Sequence, residues 1–311
     1  METDLTLRPI TGPGELDLFN RLPYALNEEL ADDLAAGRRR PEWMWVALRG
    51  GRPVARVAWS ARPPYDAPWL MDVFDLAGEP GTPGRVEAGV RLVEAAMTAV
   101  GAAPPYIRFV GPHWREDPVE HREVEDRVSA LERTGARLFV ERLRLEWRRG
   151  APVPEPGGRL VFRPADDPEE LIGLMTEVLE GTLDAYSRQG LTRRSAREAA
   201  TAQYEDELTA YEGPHDWWRI ATLPDGEPVG FVIPARNAYG PMIAYIGVRP
   251  AHRGHGHVDE ILGEGTRVLA RADVPRIRAS TDLGNVPMAR AFARAGYVVH
   301  AHEVDMTWSR T

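Results

Sequence analysis

The chain has 311 residues, 43% hydrophobic and 27% charged, enough to bury the core of one large or two ordinary domains. Its net charge of −9 argues against a nucleic-acid partner. The absence of cysteine excludes disulfides, thiolate nucleophiles and cysteine-bound metal, and all 38 basic residues are arginine. No apolar run approaches the roughly 18 residues of a membrane span, and residues 1–9 are acidic where a secretory leader is basic, so a cytoplasmic protein with no membrane partner is expected.

Along the chain, the run Arg38, Arg39, Arg40 before Pro41 reads as a solvated loop. Residues 78–87, G-E-P-G-T-P-G-R-V-E, form a glycine turn whose prolines lack N–H donors and whose acidic side chains repel an anion. The stretch 150–158 is Pro/Gly-rich with no apolar periodicity and reads as a linker. In 177–188, Asp184 and Tyr186 follow a helix-like run; they read either as capping or solvated side chains or as groups beside a substrate pocket. Trp217 and Trp218 head a strand as packing residues. A β-branched run at 243–248 ends at Pro250, and a loop with Gly254 and Gly256 leads into a helix over 258–270. A strand over 277–281 follows, then a helix with Met288, Ala291, Phe292 and Ala295 on one face, closed by Gly296. His300 and His302 share one face of a last strand, toward solvent or a partner domain.

The two halves echo each other. Residues 130–147 overlay 291–308 without a gap, Leu7-Arg8-Pro9 matches Phe162-Arg163-Pro164, and Gly51 to Val54 matches Gly226 to Val229. The shared order predicts two copies of one α/β domain, 1–150 and 159–311, joined by the linker 151–158.

Strand, glycine loop and helix N-terminus together form an anion cradle. Glycines admit a ligand close to the backbone amides, and the helix start adds partial positive charge. Arg253 at the rim can add a charge-assisted hydrogen bond. The spacing is not that of a Walker loop, which needs a lysine, nor of a dinucleotide loop, whose third glycine position is Asp259. Three histidines, His252, His255 and His257, have a spacing open to zinc. They lie on the loop whose backbone must meet the anion, and no ligand completes a shell, so no metal is expected.

What remains, V-x-P-x-x-R-G-x-G with the core Arg253, Gly256 and Val258, resembles the coenzyme A loop of the GCN5-related N-acetyltransferase (GNAT) superfamily. Val258 departs from the usual Gly or Ala. Residues 285–297, N-V-P-M-A-R-A-F-A-R-A-G-Y, are similar to that superfamily's later motif. The tandem layout resembles mycothiol-synthase-like double-domain acetyltransferases, with the N-terminal copy degenerate. The resemblance implies an α/β (α+β) fold of two GNAT-like domains, each a mixed, mostly antiparallel twisted sheet flanked by helices. It also implies acetyl-CoA as co-substrate, a small-molecule amine as acceptor, direct attack on the thioester, and a monomer or homodimer. It assigns coenzyme contacts to Ile246, Gly247, Val248, Arg253, Gly254, His255, Gly256, His257, Val258, Asn285 and Arg294, with Gly247 suited to a bulge or a close ligand approach.

The superfamily's acid, a tyrosine seven residues after Asn285, is here Phe292, which has no proton to give. Three explanations compete: the thiolate leaves unassisted or through water, Tyr245 or Tyr297 substitutes, or the protein binds acyl-CoA without turning it over. Asp184 and Tyr186 are the candidates for receiving the amine proton.

Overall fold

The structure, a computed structural model, describes residues 5–62, 66–237 and 240–308. Its principal elements are β1 (Leu5–Pro9), α1 (Leu16–Phe19), α2 (Leu30–Ala35), β2 (Met44–Arg49), β3 (Arg52–Ser60), β4 (Leu70–Leu76), α3 (Arg85–Val100), β5 (Tyr106–Val110), α4 (Pro118–Arg133) and β6 (Arg137–Arg148). The later part of the chain adds β7 (Val161–Pro164), α5 (Pro168–Val178), α6 (Ala185–Leu191), α7 (Ala196–Asp206), β8 (Arg219–Thr222), β9 (Pro228–Asn237), β10 (Gly240–Val248), α8 (His257–Arg271), β11 (Arg276–Asp282), α9 (Val286–Arg294) and β12 (Val298–Thr307). The fold is the mixed, mostly antiparallel α/β type that the resemblance implies. Two compact units divide the chain, Met1–Val140 with Glu303–Thr311, and Glu141–His302.

In the first unit β1 to β4 pair antiparallel in sequence order, and β5 runs parallel to β4 with Met71 opposite Tyr106. Side chains alternate across a strand. Val57, Phe74 and Leu76 therefore pack with Val90 and Val93 of α3 and Leu131 of α4, while Val46, Ala58 and Val73 pack with Phe19 and Leu30 of the first two helices. The arginine run is a loop, but its middle residue is not solvated. Arg39 is 3% exposed, forks onto both oxygens of Asp72 at 2.7 Å and bonds Asp33 at 2.8 Å. Its partner on β4 lies 33 positions away, beyond the reach of a local reading.

In the second unit the antiparallel set β7-β8-β9-β10 meets β11 in parallel, and β11 pairs antiparallel with β6 from Arg142 to Arg148. One face carries α8 and α9 on a core of Ile261, Leu269, Ile277, Ala291 and Phe292. The other carries α5 and α7 on Met175, Leu208, Ile220 and Phe231. Close seating of α8 depends on Gly265, where a Cβ would lie 2.6 Å from Val232 Cγ2 and 3.1 Å from Ile243 Cδ1. His300 and His302 are half-buried rather than solvent-facing, and His302 Nδ1 meets Glu141.

Candidate functional site

Two adjacent parallel strands of the second unit are joined at a single rung. Among the described residues, the one registered pair between β10 and β11 is Met242 opposite Arg278. Beyond it β10 continues for six residues to Val248, held on its other edge by β9. The register against β9 shifts between Ile243 and Tyr245, which places Tyr245 among the residues packed toward α5 and α7, and Ile246 and Val248 among those packed toward α8 and α9. The irregularity thus falls at Ala244. Gly247 has a different use, because a Cβ there would sit 3.0 Å from both Cγ atoms of Val178 and 3.1 Å from Phe231 Cζ.

The wedge opens onto the loop. Gly254 and Gly256 have positive φ (82° and 73°), and Gly256 caps α8 with no side-chain hydrogen bond. A residue with a Cβ is strained in that region. Among the described residues, the amides of Gly254, His255, Gly256, His257 and Val258 donate to no protein acceptor, and they lie at or just before the positive end of a 15-residue helix. Val258, larger than the expected Gly or Ala, packs its side chain against the α8–α9 core rather than crowding these donors.

The side chains around the loop are largely engaged. Arg253 donates to the carbonyls of Glu180 (2.6 Å), Val178 (2.8 Å) and Val248 (3.1 Å), so it ties the end of α5 to the end of β10. Arg294 forks onto Asp259 Oδ1. Asn285 caps α9, its Oδ1 accepting from Met288 N at 3.4 Å. His252 reaches Glu227 at 3.1 Å, and the ring of His257 stacks beside His255 with centroids 5.9 Å apart. Nδ1 of His257 is buried without a partner, and burial, then the charge of Arg159, hold its imidazole below the ordinary value. The described residues contain no group of three or more His, Asp or Glu side chains set to hold a metal ion, and no described helix is long and apolar enough to cross a membrane.

The acid and base candidates separate cleanly. Phe292 is 1% exposed and meets Tyr297 edge-on at 5.0 Å. The Tyr297 hydroxyl is sealed in the core against Thr266 Oγ1 at 3.0 Å, and burial raises its pKa. Tyr245 is half-buried, edge-on to Phe231 at 5.0 Å; burial first, then the charges of Asp184 and Glu207, keep its hydroxyl protonated. Asp184 is the N-cap of α6, accepting from Ser187 N at 2.7 Å, with Arg142 3.7 Å from its other oxygen. Arg142 also bonds Asp282 at 3.1 Å and lies 5.7 Å from the centroid of the exposed Tyr186 ring. Burial, then Asp184, push the Asp282 carboxyl up, and its second oxygen accepts from Ala185 N at 2.6 Å.

Residues 159–298 match the family model for an acetyltransferase (GNAT) domain. That match lies within the second unit. Over the whole chain the fold is similar to that of a GCN5-related N-acetyltransferase from Sphaerobacter thermophilus, with 18% identity over 97% of this chain and 94% of that one and a TM-score of 0.58. It is also similar to a tandem GNAT protein from the clavulanic acid biosynthesis pathway, with 18% identity over 99% and 100% of the two chains and a TM-score of 0.50. A glucosamine N-acetyltransferase region of a fungal multi-domain enzyme matches 98% of this chain and 38% of that one at 14% identity and a TM-score of 0.58. These identities speak for the fold alone. No curated protein matches the sequence.

Around the wedge, Arg142, Glu207 and Asp282 stand out only in three dimensions. One local sign existed for a further residue: Glu260 interrupts the apolar face of α8 beside Ile261 and is 7% exposed. Its partner is Arg159, from the end of the Pro/Gly stretch.

The first unit has a corresponding strand, loop and helix, with Gly84 in the left-handed region before α3 as Gly256 is before α8. Here the loop meets protein instead. Asp126 accepts from Gly81 N at 3.0 Å and from Arg85, whose guanidinium also bonds the carbonyls of Leu76 and Ala77.

Proposed function

We propose that the chain is an acyl-CoA-dependent N-acyltransferase that moves acetyl from acetyl-CoA to the amine of a small molecule by direct attack. The observation that carries this is the continuity of the single-rung wedge between β10 and β11 with five unpaired loop amides at the start of α8. Backbone amides at a helix N-terminus suit a pyrophosphate. The free edge of β10 at Ile246, Gly247 and Val248 suits the amide-bearing pantetheine arm, and a donor there would stabilise charge developing on the thioester oxygen.

Within this reading the proton roles fall to the face of Tyr245. A neutral amine attacks the thioester carbon, and the intermediate collapses with loss of the coenzyme thiolate. Tyr245, kept protonated by its surroundings, is the group suited to protonate that thiolate, and Asp184 is suited to receive the amine proton. Tyr186, exposed beside Arg142, is assigned to the acceptor side. Asn285 keeps its side-chain amide nitrogen for the coenzyme, whereas Arg253 and Arg294 contribute through the backbone and α8 they anchor. Asp126 fills the first unit's loop, which supports a degenerate N-terminal copy that binds no coenzyme.

Titration calorimetry with acetyl-CoA tests the binding half. Saturable binding that Gly256→Pro abolishes is expected; no binding refutes the reading. Thiol release over a panel of amines, including a cysteine–glucosamine–inositol acceptor, tests the transfer half. Binding without any acceptor-dependent release would make the protein an acyl-CoA sensor instead.

A further inference from the structure

We infer that Arg159 is a positioning residue for the coenzyme loop, a role that rests on the acyl-CoA reading above. Its Nη1 donates to the carbonyl of His255 at 2.9 Å and its Nη2 to that of Gly256 at 3.3 Å. In a trans peptide the carbonyl of one residue and the N–H of the next point in opposite directions. Holding those two carbonyls on the guanidinium side therefore turns the amides of Gly256 and His257 to the other side, where they remain free of protein acceptors.

The guanidinium is itself held in place. Its Nε bonds Glu260 Oε1, and the Arg159 backbone amide bonds Glu260 Oε2 at 3.2 Å. Glu260 is almost wholly buried in the first turn and a half of α8, whereas Arg159 is half exposed. The chain just before Arg159 closes over this carboxylate so tightly that a Cβ on Gly157 would lie 2.5–2.8 Å from its carboxyl atoms. A planar fork fixed at Nε has both Nη groups left to span two successive carbonyls, which an ammonium cannot reproduce. The clamp thus links the segment just before β7 to the loop 96 positions later. Arg159 lies on the carbonyl side and acts on the coenzyme through the loop, not by touching it.

The test compares wild type, Arg159→Ala, Arg159→Lys and Gly157→Ala by calorimetry with acetyl-CoA and with S-acetylpantetheine, which has no pyrophosphate. Wild type binds acetyl-CoA, and Arg159→Ala weakens this about 10-fold or more while leaving S-acetylpantetheine within twofold. Arg159→Lys recovers part of the loss, and Gly157→Ala, which displaces Glu260, gives a smaller loss of the same pattern. Hydrogen exchange without ligand quickens in Arg159→Ala at the first bonded amides of α8, from Asp259 onward. If wild type binds and Arg159→Ala matches it, the positioning role is wrong and the acyl-CoA reading stands. Equal losses for both ligands mean a general structural defect and also overturn the role. If wild type fails to bind acetyl-CoA, both inferences fall.

Discussion

Gly265 and Gly173 allow one chemical change to be read with opposite signs. Replacing a glycine by alanine inside a helix gains about 1 kcal/mol in intrinsic propensity. At Gly173, inside α5, a Cβ meets nothing within 4 Å, so Gly173→Ala should keep most of that gain, about 0.5–1 kcal/mol. At Gly265 the new carbon would lie 2.6 Å from Val232 Cγ2, about 1 Å inside an ordinary carbon–carbon contact. Overpacking of this kind costs about 1–3 kcal/mol. The net effect of Gly265→Ala is then a loss of up to about 2 kcal/mol, with α8 pushed away from β9 and β10 and the loop at its N-terminus carried along. Urea unfolding with fitted midpoints and slopes measures the first consequence, and acetyl-CoA calorimetry the second. A Gly265→Ala protein stabilised as much as Gly173→Ala, with undiminished affinity, would refute the argument that close seating of α8 positions the site.

Three further outcomes follow from the same geometry. Arg253→Ala leaves the carbonyls of Val178, Glu180 and Val248 without their shared donor and should cost about 1–2 kcal/mol by urea unfolding, with little recovery in Arg253→Lys; an unmoved midpoint contradicts this. Phe292→Tyr adds a hydroxyl to a site 1% exposed and should cost about 1–3 kcal/mol without raising turnover, whereas a tenfold gain in kcat would restore the hydroxyl acid to that position. His257 resists protonation in the fold because it is buried, while the unfolded chain protonates near pH 6.5. Its contribution is complete above that pH and is lost as pH falls through it, so His257→Gln should flatten the decline in urea midpoint between about pH 7.5 and 5.5, and an unchanged slope would exclude His257 as its source.

The parts of the site built from consecutive residues were legible in the chain. The glycine loop, the helix it opens and the motif from Asn285 to Tyr297 are local patterns, and the structure folds them as α8 and α9 in that order. What could not be read was where long side chains go. Arg253 sits at the rim in sequence, but three carbonyls, two of them more than 70 positions earlier, draw its guanidinium away. Tyr297 and Tyr245 look equivalent as hydroxyl donors until Thr266 takes the first and leaves the second half-buried beside Asp184. Asp184 itself is a helix cap as well as a charge on that face, two roles that residue type alone does not separate. Arg159 had no local signature at all, because its meaning lies in carbonyls that every residue possesses.

The single rung between β10 and β11 has a consequence for how this protein can vary. A ligand seated along a strand edge is recognised by main-chain atoms, which no substitution other than proline removes. Side chains at Ile246 and Val248 can therefore drift among apolar types that keep their packing toward α8 and α9 without erasing recognition. Sensitivity is displaced to positions where an added side chain would distort the edge, such as Gly247 under Val178. Compounds that compete for the slot would need to imitate a peptide rather than fill a pocket of side chains.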